Sequence, residues 1–351
     1  LYFTLYINPQ TPGPEMDGAI MEAAIENAVR ADQAGFRGIA LTNHHFSNYN
    51  TYGNSFMFGA HLGSQIKQAW LLLQVAVAPL INPLELAENA NLLDQIWRGR
   101  FIMGIGSGGS PLEFEGFGRD PAMRGSLTAE VMDVAARAWK RKPGDPPLEY
   151  RTHHDRGILR GRIMPGPYRK DQPLLARAAL AEEGWVDAGR TGRPLFFGRV
   201  GVEGAAHAMN VYDDALAKAG WSREQVEFCK DWTTMQKTVL LADDDDTARQ
   251  LIDEPLANLH RLSQAAFSAY GDEQRKAVTG VSGDDPAVFR KAFVEGATII
   301  GSPQTFIEKL KQYEGAGVRH VALHMNFGFM RPEVTRRTLD LFIDKVMPKF
   351  S

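Results

Sequence analysis

A single cysteine, Cys229, stands in 351 residues. That excludes an internal disulfide and any metal centre built on several thiolates, and it suits a reducing compartment. Excess charge is equally scarce, because 39 basic residues against 42 acidic ones leave a net of −3. Basic stretches are short and diluted by acids, so no footprint for a nucleic-acid polyanion emerges. Long apolar runs are missing too. The longest, Ala69 to Ile81, is interrupted by Gln74 and contains Pro79, which makes it too short to span a bilayer. No secretory leader pattern precedes the strand-like opening LYFTLYI, and the expectation is a cytoplasmic protein with neither nucleic acid nor membrane as partner. No P-loop or G-x-S-x-G elbow is present.

What is present is ordinary globular material: 44% hydrophobic residues, 23% charged, 34 glycines and 19 prolines. Such composition supports a large core and argues against disorder. The hydrophobic pattern switches repeatedly between short apolar runs and helical periods. Leu1 to Ile7 reads as a strand, Ala19 to Ala34 as a helix closed by Gly35, and Ile39 to Leu41 as the next strand. The unit recurs with Leu71 to Ala78, Leu84 to Trp97, Phe101 to Ile105 and Thr128 to Arg141. It resumes at Leu174 to Leu180 and Leu195 to Phe197, and closes with a strand at Val318 to Met325 and a helix at Glu333 to Val346.

About eight strand–helix units over this length predict an α/β fold, a (βα)8 TIM barrel with insertions, as one domain over 1–351. A doubly wound fold wants its glycine-rich turn after the first strand, and NPQTPGPEM is no such turn. The rhythm fails from about 143 to 170, read as an irregular or small β insertion. The polar, aperiodic stretch from about 268 to 285 reads as a mobile active-site loop. Cys229, in EFCKDW, is expected on a strand and buried.

In a barrel the chemistry gathers on the loops after the strands. His44 and His45 follow the second strand in ALTNHHFSNYN. One of them facing the mouth moves protons near neutral pH; the alternatives are a structural pair or a metal site lacking further ligands. GSGG after the fourth strand permits close approach of an anion or a flat ring, or is simply a tight turn. The aromatic run Phe46, Tyr49, Tyr52, Phe56 and Phe58 walls a cavity or packs the core.

Three blocks, ALTNHHFSNY, PLELAENANLLDQIWRGRFIMGIGSGG and the C-terminal GSPQTFIEKLKQYEGAGVRHVALHMNFGFMRPEVTRRTLDLFIDKVMPKF, resemble the bacterial luciferase-like flavin monooxygenases, in the same order and over nearly the whole chain. The resemblance implies a dimeric luciferase-like barrel that takes reduced FMN from a separate flavin reductase. With dioxygen it would oxygenate a small organic substrate, an aldehyde or ketone, through a C4a-peroxyflavin. A related branch implies the alternative of hydride transfer with F420; a metal-assisted barrel hydrolase and an inactive flavin-binding partner are the others.

By the same resemblance His44 is the proton-transfer residue beside the flavin, and His45 contributes to that pocket. Ala76-Val77 matches a non-prolyl cis peptide beneath the ring, and Gly104 and Gly106 the strand end beside it. Three departures stand out. Asn43 replaces the acid of the usual Glu-His-His, Ser107 replaces a phosphate-binding arginine, and ARAALAEEGW replaces the hydroxyl-rich phosphate loop, with Arg177 as the substitute charge.

Overall fold

The computed structural model describes residues 1–169, 171–266 and 285–350. The stretch read above as a loop, 268–285, falls outside them apart from Asp285. Eight parallel strands close into a ring: β1 (Tyr2–Ile7), β2 (Gly38–Leu41), β3 (Trp70–Val77), β4 (Phe101–Gly106), β7 (Leu174–Ala178), β8 (Leu195–Gly198), β9 (Thr234–Leu241) and β11 (His320–His324), which pairs back onto β1. The predicted barrel is therefore the fold. A short extra strand, β10 (Thr298–Gly301), extends β9 in parallel, pairing Thr298 with Thr238.

The irregular stretch contains an antiparallel hairpin, β5 (Leu148–Arg151) with β6 (Arg156–Leu159). Helices α1 (Asp17–Gln33), α2 (Ser55–Leu62), α3 (Pro83–Ile96), α4 (Pro111–Gly116), α5 (Arg124–Trp139), α6 (Glu182–Arg190), α7 (Val202–Ala219), α8 (Arg223–Trp232) and α9 (Asp245–Ala266) follow their strands. Past the undescribed stretch come α10 (Pro286–Ala297), α11 (Pro303–Gly315) and α12 (Pro332–Leu341). Among the described residues no helix is long and apolar enough to cross a membrane.

Strand alternation sorts the core into two shells, because successive side chains point to opposite faces. Leu5, Ile39, Leu71, Met103, Leu195 and Val321 face outward under the helices. Ala40, Leu72, Ile102, Ala176, Phe196 and Trp232 fill the interior. Burial of these apolar surfaces is the main driving force. One polar clamp adds to it: the buried Asp32 carboxylate at the end of α1 accepts the N–H groups of Lys67, Gln68 and Ala69 at 2.8, 2.9 and 2.7 Å. Asp32→Ala strands three donors, and the expected loss is about 3 kcal/mol or more in urea unfolding; an unchanged midpoint would contradict the clamp.

The strand expected at Cys229 is a helix. Val226, Cys229 and Trp232 recur every three residues on the inner side of α8, with Ser222 capping it by accepting the Gln225 N–H at 3.2 Å. The short window EFCKDW hid that period, although the thiol is buried as expected.

Candidate active site

The loop after β2 is pinned before any functional group is placed. Thr42 donates to Asn8 Oδ1 at 2.9 Å, Asn50 Nδ2 donates to Thr42 Oγ1 at 2.6 Å, and the Tyr52 hydroxyl donates to Ile7 O at 2.8 Å. Rings of Tyr52 and Phe58 stack 4.6 Å apart beneath it. So the aromatic run divides: Phe56 and Phe58 are core, Tyr49 reaches the mouth, and Phe46 is largely exposed.

His44 and His45 leave this loop in different directions. His44 Nδ1 lies 2.9 Å from Oε1 of Glu113, the third residue of α4, whose side chain is 3% exposed. A carboxylate only accepts, so Nδ1 carries the hydrogen and Nε2 is the atom that takes or gives a proton. The same Oε1 accepts the His45 backbone N–H at 3.2 Å. Tyr49 packs edge-on to the His44 ring at 4.8 Å.

His45 is fixed differently. Val77 N–H donates to Asn43 Oδ1 at 3.2 Å, which leaves the Asn43 amide nitrogen to donate to His45 Nε2 at 2.9 Å and Gly53 O at 3.0 Å. Burial lowers the pKa of His45, with Glu113 raising it and His44 lowering it in smaller measure. A neutral ring accepting from an amide is a structural partner, and the two histidines thus have separate tasks.

The departure at Asn43 is made good from elsewhere. The carboxylate missing beside the histidines comes from α4, on the loop after β4, two strands further round the ring than the histidine loop. Sequence reasoning missed Glu113 because PLEFEG is too short to show a helical period; the Ser110-Pro111 start was its one local signal.

Other assigned residues are placed as follows. Gly104 and Gly106 end β4 facing inward, where a Cβ on Gly104 would lie 2.6 Å from Leu73 O and one on Gly106 2.3 Å from Val75 Cγ2. Close packing of β4 on β3 therefore requires both glycines. The cis peptide is Gln74–Val75, not Ala76–Val77. Pairing between β3 and β4 slips between Leu73 and Ala76, so the irregular step falls earlier than expected. Ala76 and Val77 are buried behind the strand, and half-buried Val75 is the residue over Gly106. Ser107 is half-buried in the following loop.

Arg177 does not reach the mouth. Its alternate neighbours Ala176 and Ala178 line the interior, so period two turns Arg177 outward, with Nε 3.7 Å from Asp187 of α6. The helix α6 itself starts without a side-chain cap and carries Glu182 and Glu183 in its first turn. These residues do not assemble the arginine-based phosphate cradle.

A cavity of about 40 Å³ opens at the C-terminal ends of the strands, lined by Tyr6, Tyr49, Arg199, Gln236, Thr238 and His324. Burial pushes the Tyr6 and Tyr49 phenols up and holds His324 down at about 4. His324 Nε2 is 3.2 Å from Asn8 O and its ring meets Tyr6 edge-on at 5.3 Å. Sequence reasoning passed over His324 and Arg199, although alternation in HVALH already puts His320, Ala322 and His324 on one face. Among the described residues no three His, Cys, Asp or Glu side chains converge as metal ligands would.

A closed α/β barrel whose mouth holds a histidine–carboxylate couple and a polar cavity defines a barrel enzyme with its site on the strand-end loops. The family model for luciferase-like monooxygenase matches residues 2–320, and the chain belongs to that family. It is similar to 4-hydroxyprotoasukamycin monooxygenase of Streptomyces nodosus subsp. asukaensis, 26% identical over 99% of this chain and 92% of the relative. The oxygenase component of flavin-dependent trigonelline monooxygenase of Acinetobacter baylyi is 24% identical, over 99% and 95%. Among solved structures, the oxygenating constituent of 3,6-diketocamphane monooxygenase of Pseudomonas putida, in complex with FMN, superposes with a TM-score of 0.78 at 19% identity, covering 100% and 99%. The protein is a monooxygenase of this family.

Proposed function

We propose that this protein is the oxygenase component of a two-component flavin-dependent monooxygenase, using reduced FMN from a separate flavin reductase and dioxygen to oxygenate a small aldehyde or ketone. The observation that carries the reading is the His44–Glu113 couple at 2.9 Å on the barrel mouth, in a family of monooxygenases with a flavin-dependent full-length relative.

The residues at the strand ends suit the ring of a flavin better than its phosphate. Val75, Ser107, Ala178 and Ala179 are half-buried, and none is bulkier than valine. They would hold the isoalloxazine, with Gly106 allowing close approach of Val75. Ser107 and the uncapped N–H groups of α6 are the groups left for the phosphate, in place of Arg177. When bound, reduced FMN supplies the electrons with which dioxygen is activated.

The chain's own groups then have definite tasks. Glu113 fixes the tautomer and direction of His44, and His44 Nε2 holds or delivers a proton at the mouth. Asn43 ties His45 to the end of β3. Tyr6, Tyr49 and neutral His324 line the cavity as hydrogen-bonding groups without charge, while Leu259, Phe293 and Ala297 on its rim keep bulk water out. A homodimer in the cytoplasm, where the lone thiol stays reduced, completes the reading.

The test is a titration of the anaerobic protein with photoreduced FMN, followed by admission of oxygen. Saturable binding and a slowed, protein-dependent reoxidation are expected. Absence of saturable binding would overturn the reading. The second reading is F420-dependent hydride transfer, supported by a TM-score of 0.73 to an F420-dependent secondary alcohol dehydrogenase at 17% identity; tighter binding of F420 than of FMN in a parallel titration would favour it.

A further inference from the structure

We propose that Tyr49 receives the substrate's carbonyl oxygen, donating a hydrogen bond from its phenol and holding the carbonyl group beside His44. The proposal rests on the monooxygenase reading and deepens it, because it names the side chain that recognises the aldehyde or ketone.

Position comes first. Tyr49 lies on the loop after β2, five residues beyond His44, and its ring meets the His44 imidazole edge-on at 4.8 Å. The same side chain lines the strand-end cavity, together with Tyr6 of β1 and His324 of β11. Tyr49 therefore bridges the proton-transfer couple and the cavity. A positive charge on His44 also lowers the His324 pKa, so the two sides of that bridge lie within electrostatic reach.

Construction comes second. Both chain neighbours of Tyr49 are tied to the loop after β1. Asn48 O accepts the Thr11 N–H at 3.1 Å, and Asn50 Nδ2 donates to Asn8 Oδ1 at 3.0 Å. Asn50 Oδ1 accepts the Tyr52 N–H at 2.8 Å, which closes the turn behind them. A phenol delivered from such a backbone is held in one direction before any substrate arrives.

Chemistry is the third observation. Burial pushes the Tyr49 phenol up, Arg199 opposes that shift and Glu113 adds to it. The phenol thus keeps its proton near neutrality and is a neutral donor. A carbonyl oxygen only accepts, and a donor aimed at it both holds the group and polarises it. Two nearby tyrosines are used differently. The Tyr52 hydroxyl donates to Ile7 O at 2.8 Å and accepts the Thr42 N–H at 2.8 Å, which pins the loop. Tyr6 turns its hydroxyl to Gln74 O at 3.5 Å.

The experiment compares acetophenone with α-methylstyrene, which share a shape and differ in the oxygen. Equilibrium dialysis is run on the full-length protein, flavin-free and with oxidised FMN. Wild type should bind acetophenone about fivefold more tightly, the usual worth of one neutral hydrogen bond. Tyr49→Phe removes only the hydroxyl and should erase that preference. Infrared difference spectra of bound acetophenone give a second readout, and its carbonyl stretch should lie lower in wild type than in Tyr49→Phe.

Absence of acetophenone binding, or equal binding of the two probes, would overturn the proposal. So would a preference that survives in Tyr49→Phe, or a carbonyl band that moves only in Tyr6→Phe. Weaker FMN binding by Tyr49→Phe, with acetophenone binding unchanged, would also overturn it by assigning the phenol to the flavin. Failure of wild type to bind FMN, with a Tyr49-dependent preference intact, would sink the flavin reading and leave the carbonyl site standing.

Discussion

Replacing His44 with alanine is expected to lower turnover by about 10² to 10⁴-fold, the usual worth of a positioned proton-transfer group. The fold should survive, because the ring is a third exposed and its backbone is held by the Thr42, Asn50 and Tyr52 bonds. Glu113→Gln is the sharper variant. It keeps the shape of the side chain but removes the charge that accepts from His44 Nδ1 at 2.9 Å, and turnover should fall by about 10²-fold through misdirection of the ring. Glu113 acts through His44, so FMN affinity should be nearly unchanged while kcat drops. Oxygen uptake with a flavin reductase and a carbonyl substrate measures the first quantity, and fluorescence titration of FMN the second. A Glu113→Gln protein with full turnover would remove the couple from the mechanism.

Acid should destabilise the protein well before its carboxylates titrate. His320 and His324 are fully buried, and burial lowers them from the ordinary 6.5 to about 3 and about 4. His320 is committed on both nitrogens, with Thr4 Oγ1 2.7 Å from Nε2 and Asp231 O 3.0 Å from Nδ1. A carbonyl can only accept from Nδ1–H, so Nε2 accepts from the Thr4 hydroxyl, and protonation breaks that bond.

The sign follows from which state takes the proton first. Because the folded pKa is depressed, the unfolded chain protonates first, as pH falls through 6.5. Stability is full above that value and falls with pH until the folded rings titrate. By about pH 5 each ring accounts for roughly 2 kcal/mol of lost stability. Urea midpoints at about pH 8 and about pH 5 measure the fall, and His320→Gln should remove about half of it. An equal fall in wild type and variant would exclude His320 as a source.

The barrel was readable because its signals are local and repeated. Ala24, Ala28 and Ala31 on one face of α1 and the apolar runs of β3 and β4 place elements to within a residue or two. Chemistry that depends on one short turn was not. Glu113 lies in six helical residues without a period, and Arg177 was assigned to the mouth although alternation with Ala176 and Ala178 already turned it outward. The cis peptide lies two residues before the assigned step, because a slip in strand pairing leaves no mark in composition. Cys229 shows the opposite error, a strand inferred from a window shorter than two helical turns.

The His44–Glu113 couple joins loops from different strands, with a consequence for transplantation. Base and carboxylate are inherited on separate segments, His44 after β2 and Glu113 after β4. A chimera that receives only the NHHF loop would acquire an imidazole without its counter-charge. The smallest portable unit of this site is therefore the span from Asn43 through Glu113, with β3 and its cis peptide travelling inside it.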